Sequence, residues 1–255
     1  MRWRWILGGA AAIVLLTVGV GAALFLVADR DAGAVSPERA LSEFRERPGA
    51  DRRPAPGLPA AGVYLYRVRG EETLSRGPLS ITRTFPAVAP RTIRHTPGGY
   101  EVQWRISTGK GELTRVRAGA RRSWTVYGES YFSAAGISTT NRRSWEPPQP
   151  RAPRTVRVGA RWGGRSTDGD GLVVDSESRV TGMRTIRVGG VPVRAAVVET
   201  MFTVSGTARG SGSTTTLLDP ERELDLRIDT TSDLEQNGSA STRYVATLTS
   251  LTPLT

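Results

Sequence analysis

The feature that most constrains this chain is an apolar run close to its N-terminus. From Ile6 to Ala28 the sequence contains no charged residue. As an α-helix, a run of 23 residues rises about 34 Å, which is enough to cross a hydrocarbon core of about 30 Å. The run therefore predicts a single transmembrane anchor.

The charges on either side of the run predict its direction. Arg2 and Arg4 precede it, whereas Asp29, Arg30 and Asp31 follow it with no basic excess. The positive-inside rule then keeps the N-terminus cytoplasmic and places the rest of the chain outside the cell membrane. The alternative is a cleaved signal peptide with a small-residue site at 32–34, although signal peptides usually have shorter apolar segments. Both interpretations predict an extracytoplasmic domain.

The composition divides the chain into three parts. Residues 1–28 form the cytoplasmic tip and the anchor, residues 29–60 a short helix and a tether, and residues 61–255 an extracytoplasmic β domain. Ser36 and Pro37 suit the N-cap and the first position of a helix that ends near Arg47. Residues 48–60 are rich in proline, alanine and arginine and read as a spacer.

After Gly62 the sequence alternates with a period of two. Tyr64, Tyr66 and Val68 alternate with Leu65, Arg67 and Arg69. The run from Tyr100 to Ile106 alternates in the same way, with Glu101, Gln103 and Arg105 as its polar set. This alternation predicts strands with one buried face and one solvated face. The Gly189-Gly190 pair between two such runs predicts a β-hairpin.

These runs predict a mainly β domain. We expect a large, strongly curved antiparallel sheet or partial barrel of about nine to twelve strands. A β-sandwich is the alternative.

The charge and the cysteine count limit the functional classes. The chain has a net charge of +11, a single histidine and no cysteine, so disulfides, thiol catalysis and multi-histidine metal sites are excluded. The part from Gly62 to Thr167 carries a charge of +13 and the part from Asp168 to the C-terminus carries −4. A basic surface favours anionic lipids or cell-wall polymers as partners, while the membrane anchor argues against nucleic acid.

No motif predicts catalysis, a cofactor or a metal. His95 lies in a basic context before a turn, and no G-x-S-x-G pattern surrounds any serine. Asp168 and Asp170 have the alternating spacing of a calcium loop, but Leu172 and Arg179 occupy positions where that loop needs oxygen ligands. We interpret Asp168–Gly171 as a turn and predict that the protein is not an enzyme.

Two sets of residues are candidates for ligand binding. Trp104, Trp124 and Trp162 lie in strand-like runs and could line a shared apolar concavity, although packing in the core is the ordinary role of such residues. Alternating arginines could form a basic patch if their strands adjoin, and otherwise form two separate solvated faces. These arginines are Arg67 and Arg69 in one run and Arg115 and Arg117 in another.

Four segments carry a resemblance. They are GVYLYRVRGEE at Gly62–Glu72, RTFP at Arg83–Pro86, PRTVRVGARWGGRST at Pro153–Thr167 and SLTP at Ser250–Pro253. With them the chain resembles actinobacterial single-pass exported β-rich proteins that have no assigned activity. The order of its strand signals is also loosely similar to curved-sheet envelope proteins of the lipoprotein-carrier type, which shelter lipids. The first resemblance implies location and fold, and neither supplies functional residues.

Two functional hypotheses follow. In the first, the exported domain binds a lipid or an anionic envelope ligand without catalysis. In the second, it is a structural or interaction subunit of a membrane complex.

Overall fold

The computed structural model describes residues 33–47, 57–134, 137–236 and 238–255. Within these ranges no helix combines the length and the apolar character that a membrane span requires. The predicted anchor at Ile6–Ala28 and residues 48–56 of the predicted tether lie outside the described residues.

The predicted helix is confirmed as α1, Pro37–Glu46. The Ser36 hydroxyl accepts a hydrogen bond from the Arg39 backbone N–H at 3.2 Å, which satisfies one of the free donors of the first turn. Ala40 and Phe44 are buried against Val63, whose side chain faces outward from the first strand. The helix therefore packs on the outer wall of the sheet.

Thirteen strands follow α1 in the described part of the chain. They are β1 (Gly62–Arg76), β2 (Leu79–Thr84), β3 (Val88–Thr96), β4 (Gly99–Ser107), β5 (Lys110–Arg117), β6 (Arg122–Ala134), β7 (Ile137–Pro153), β8 (Arg161–Thr167), β9 (Val173–Val188), β10 (Val191–Ser205), β11 (Arg209–Asp219), β12 (Leu224–Glu235) and β13 (Ser239–Leu248).

The strands form one antiparallel sheet that closes on itself. From β3 onward each strand pairs with the next along the chain, and β13 returns to pair with β1 from Tyr66↔Leu248 to Ser75↔Ser239. β1 also pairs with β3 through its first half and with β2 through its second half. The result is a closed barrel of twelve strands, with β2 as an extension beside β1.

The mainly β prediction is confirmed, while the finer expectation needs correction. The sheet is a complete barrel rather than a partly closed one, and the β-sandwich alternative is wrong, because the first and last strands hydrogen-bond to each other. Within the described residues the sheet has thirteen strands, one more than the upper end of the expected range of nine to twelve, and twelve of them close the barrel. β2 and β3 run in the same direction along β1 and are separated by Phe85–Ala87, where Pro86 has no N–H to donate.

Alternation along the strands sets the faces as predicted. Tyr64, Tyr66 and Val68 face the interior, as does Trp104, and all are buried. The hairpin of β9 and β10 is confirmed, and Gly189 and Gly190 form its turn with φ of 56° and 85°. Two apolar clusters occupy different parts of the interior, one around Tyr66 and one around Leu234.

Candidate functional site

The three tryptophans selected from the sequence do not share one concavity. Trp104 faces the interior and packs edge-on against Tyr66, with ring centroids 5.0 Å apart. Trp162 is also buried, in a different cluster with Val180. Trp124 is only half-buried, and its neighbour across the strands is the exposed Arg117, whose guanidinium carbon lies 5.6 Å from the ring centroid.

The four selected arginines lie on two separate faces. Arg67 and Arg69 are exposed on β1, and Arg115 and Arg117 are exposed on β5. β3 and β4 stand between these two strands in the sheet. Arg115 is already engaged, since it donates to Glu101 at 3.3 Å and lies 4.6 Å from the Tyr127 ring centroid. The arrangement corresponds to two solvated faces.

Inside the barrel the structure brings together charged residues that sequence reasoning did not select. Arg91 on β3 donates to the Asp225 carboxylate on β12 at 2.7 Å, and both side chains are nearly buried. The Tyr66 hydroxyl donates to the Asp225 carbonyl oxygen at 2.7 Å. Burial raises the pKa of Tyr66, so its hydroxyl stays protonated and remains a donor.

A second group surrounds Glu223, in the connection between β11 and β12. Its carboxylate accepts hydrogen bonds from the Tyr100 hydroxyl at 3.0 Å and from the Ser123 hydroxyl at 3.1 Å. Arg151 Nε on β7 lies 3.5 Å from the same carboxylate, which makes an ion pair without the geometry of a hydrogen bond.

A third group joins the first strands to β5. The Glu72 carboxylate accepts hydrogen bonds from Arg83 and from Lys110, the only lysine of the chain, and all three side chains are buried. Burial alone would raise the pKa of Glu72, but the charges of Lys110 and Arg83 outweigh it and hold the pKa below its usual range. Glu72 is therefore ionised and compensated.

Glu112 on β5 differs from these carboxylates. It lies between Trp104 and Ser130 on the neighbouring strands, and it makes no hydrogen bond or ion pair with the described part of the chain. Burial raises its pKa to about 7, although Arg91, Lys110 and Arg151 pull it down. Glu112 is thus a carboxyl group whose charge changes near neutral pH inside the barrel.

The interior also has a small cavity and several hydrogen-bond donors without a partner, of which Arg151 and Thr216 line the cavity. A cavity of about 30 Å³ lies between Arg151, Trp162, Ser178, Glu223 and Asp225. Within the described residues, the buried donors Arg91 Nε, Gln149 Nε2 and Arg151 Nε have no hydrogen-bond partner, and neither does the buried Thr216 hydroxyl. Buried polar atoms normally find a partner, so this region suits a group that accepts hydrogen bonds.

The other residues considered from the sequence have structural roles. His95 is buried near the end of β3, and its Nε2 lies 2.7 Å from the Pro59 carbonyl oxygen. The Asp168 carboxylate accepts the backbone N–H groups of Asp170 and Leu172, both at 2.9 Å, and pairs with Arg143. The interpretation of this acidic segment as a turn is confirmed.

One signal could have revealed part of the interior charge. Glu72 is in phase with the apolar set Tyr64, Tyr66 and Val68, so continued alternation points it inward. By contrast, Asp225 points inward because of a bulge in the pairing of β11 and β12. Arg151 points inward because β7 pairs irregularly with β6. No periodicity in the sequence indicates either position.

No protein-family model, curated protein or solved structure was found to match this chain.

Proposed function

We propose that this chain is a membrane-anchored, extracytoplasmic binding protein. Its barrel interior takes the anionic, hydrogen-bond-accepting part of an envelope ligand and does not convert it chemically. The single observation that carries the proposal is an interior cavity lined by Arg151, whose buried Nε has no hydrogen-bond partner in the described part of the chain. Two further buried donors without a partner belong to Gln149, two residues before Arg151 on β7, and to Arg91, which pairs with the cavity-lining Asp225.

The type of unused group supports an acceptor as the ligand. Two of the three donors belong to guanidinium groups, which bind carboxylates and phosphates strongly because they carry charge and donate in a fixed plane. Each buried donor left without a partner costs about 1–3 kcal/mol, and a bound oxyanion would recover that cost.

The polarity of the interior favours a headgroup or a polymer unit over an acyl chain. The cavity is lined by three charged residues, Arg151, Glu223 and Asp225, and Arg91 pairs with Asp225. An acyl chain in the cavity would offer these charged groups no hydrogen-bond partner, which is energetically unfavourable. A phosphate or carboxylate group would lie beside the guanidinium groups. A lipid headgroup and a cell-wall polymer share this chemistry, so both remain sources of the ligand.

The proposed location rests on the sequence. Ile6–Ala28 has the length and apolar character of an anchor, and Arg2 and Arg4 favour a cytoplasmic N-terminus. The resemblance to actinobacterial single-pass exported proteins supports the same placement. Binding without conversion is supported by the engagement of Asp225 and Glu223, the two carboxylates that line the cavity, with cationic side chains, which leaves them poorly suited to proton transfer.

Native mass spectrometry of the full chain, purified in detergent from its membrane, tests the proposal. We expect a co-purified anionic adduct whose occupancy falls at least several-fold in Arg151→Met. The matched control is Arg67→Met on the outer face, which should keep the adduct. Fragmentation of the released molecule separates a lipid from a polymer unit. A chain with no adduct, or equal occupancy in both variants, would contradict the proposal.

A second candidate function is that of a rigid interaction subunit in a membrane complex. The observation that favours it is the small volume of the interior cavity, about 30 Å³, since a site with so little space suits a rigid platform better than a ligand-binding protein. The outer wall also has an open groove of about 660 Å³ that includes Met201, which is 70% exposed. Cross-linking in native membranes should then recover one stoichiometric partner, and recovery of the chain alone would count against this function.

A further inference from the structure

The wall of the barrel is weakest where β7 meets β8. These strands share one residue pair, Glu146↔Thr167. Their other neighbours are paired far more extensively, with seven pairs between β8 and β9 and eleven between β6 and β7. We call the junction of residues 144–151 with residues 161–167 the β7–β8 seam.

Proline explains why the seam has so little backbone pairing. Pro147, Pro148 and Pro150 lie in this part of β7 and have no N–H to donate to β8. Side chains replace the missing backbone bonds: the Ser166 hydroxyl donates to the Pro147 carbonyl oxygen at 2.9 Å, and the Thr167 hydroxyl donates to the Glu146 carbonyl oxygen at 3.1 Å. Two hydroxyl bonds hold two strands far less firmly than a ladder does.

The interior cavity lies directly behind the seam. Arg151 and Ala152 of β7 and Trp162 of β8 form part of its wall, together with Ser178 of β9. Two of the unused donors, Gln149 Nε2 and Arg151 Nε, also belong to the seam segment of β7. The weakest part of the wall and the free binding capacity thus coincide.

We propose that the β7–β8 seam is the entrance of the binding site and that Gln149 and Arg151 donate hydrogen bonds to the anionic group as it enters. This inference rests on the proposed function for the class of the ligand. The cavity holds little more than a water molecule, so a phosphate or carboxylate group enters by moving β7 and β8 apart. The other strand pairs are joined by backbone ladders and stay closed.

The absence of cysteine from the chain permits a direct test. Ser178→Cys introduces a thiol at the cavity wall, which we call the cavity thiol, and its alkylation by iodoacetamide in the full-length protein is followed by peptide mass spectrometry. Glu146→Cys with Thr167→Cys adds a disulfide across the seam, because directly opposed strand residues have a separation that a disulfide spans. We call this disulfide the seam lock. In the oxidised protein, in which the seam lock is formed, we expect the alkylation of the cavity thiol to be about tenfold slower or more than in the reduced protein.

Two controls complete the design. A disulfide between Ser213→Cys and Thr231→Cys, on β11 and β12, which share eleven residue pairs, should leave the alkylation of the cavity thiol unchanged. Ala246→Cys introduces a second kind of thiol, the core thiol, at a fully buried position. The core thiol reports the rate of global unfolding and should be alkylated much more slowly than the cavity thiol.

The results separate this inference from the proposed function. Alkylation of the cavity thiol at the rate of the core thiol, or a rate insensitive to the seam lock, would overturn the seam as the entrance even if an anionic adduct is found. If the seam lock slows the alkylation of the cavity thiol and the control disulfide does not, the result supports the seam as the entrance. If inorganic phosphate slows this alkylation in the protein without the seam lock, the result supports an anionic ligand. If the seam lock slows alkylation but no anionic adduct is found and phosphate does not protect the cavity thiol, the proposed ligand is overturned while the seam stands as the entrance.

Discussion

At the scale of single residues, Glu112 is the group whose chemistry depends most on the fold. Its carboxyl group is inside the barrel, and the charges that act on it belong to Arg91, Lys110 and Arg151, which lie on three different strands. Burial raises the pKa from 4.5 to about 7. The folded protein therefore holds a proton that the unfolded chain has released between these two values.

The sign of the pH dependence follows from this difference. The contribution of Glu112 to stability is fully present below pH 4.5 and is lost as the pH rises through about 7. We predict that Glu112→Gln is more stable than the wild type at pH 8.5 by about 2–3 kcal/mol and loses this advantage at low pH. Denaturant unfolding at several pH values measures the effect. Glu71→Gln, on the outer face of β1, is the matched control, and an identical profile for all three proteins would refute the prediction.

At the scale of elements, α1 shows how an amphipathic segment attaches to the barrel wall. Phe44 is 2% exposed and the Arg94 guanidinium carbon lies 5.4 Å from its ring centroid. Glu43 forms an ion pair with Arg105 on β4 at 2.8 Å. The helix is therefore held by one aromatic anchor and by charged contacts around it.

We predict that Phe44→Ala lowers the free energy of unfolding by about 3 kcal/mol, because it removes the buried ring and leaves a cavity under α1. Amide hydrogen exchange in α1 should accelerate more than exchange in β10. Ser42→Ala, on the exposed side of the same helix, should change stability by less than about 0.5 kcal/mol. Similar effects of the two substitutions would show that the helix does not depend on this anchor.

The elements also show what the sequence could predict. The cap at Ser36, the hairpin turn at Gly189 and the inward set around Tyr66 follow from local rules, and all three are confirmed. The interior positions of Asp225 and Arg151 were missed because a bulge and an irregular pairing set the faces on which they lie, and such shifts depend on the neighbouring strands. Closure of the barrel depends on a contact between the two ends of the domain, which no local pattern reveals.

At the scale of the whole molecule, the pairing of β1 with β13 determines the architecture. Gly70 lies opposite Tyr244 in this pairing and has a φ of 151°. A Cβ atom there would lie 2.2 Å from the Arg243 carbonyl oxygen and 2.5 Å from Tyr244 Cα. Both obstacles are backbone atoms, so a side chain at Gly70 would force the closing strands apart.

We predict that Gly70→Ala destabilises the barrel by about 3 kcal/mol or more, since it combines backbone strain with a clash at the closing pair. Gly164→Ala is the matched control, because a Cβ atom at that position meets nothing within 4 Å. The control should change stability by less than about 1 kcal/mol. Denaturant unfolding with hydrogen exchange across β1 and β13 measures both, and an equal response would argue against closure as the source of stability.

The contact between the first and last strands affects how the chain folds during synthesis. A chain made from its N-terminus exposes one edge of β1 until the residues from Ser239 to Leu248 have been synthesised and delivered. Contacts so distant in sequence form slowly, and an unpaired edge invites association with other chains in the interval. A truncation that removes the final strand should therefore lead to aggregation rather than to a slightly smaller barrel.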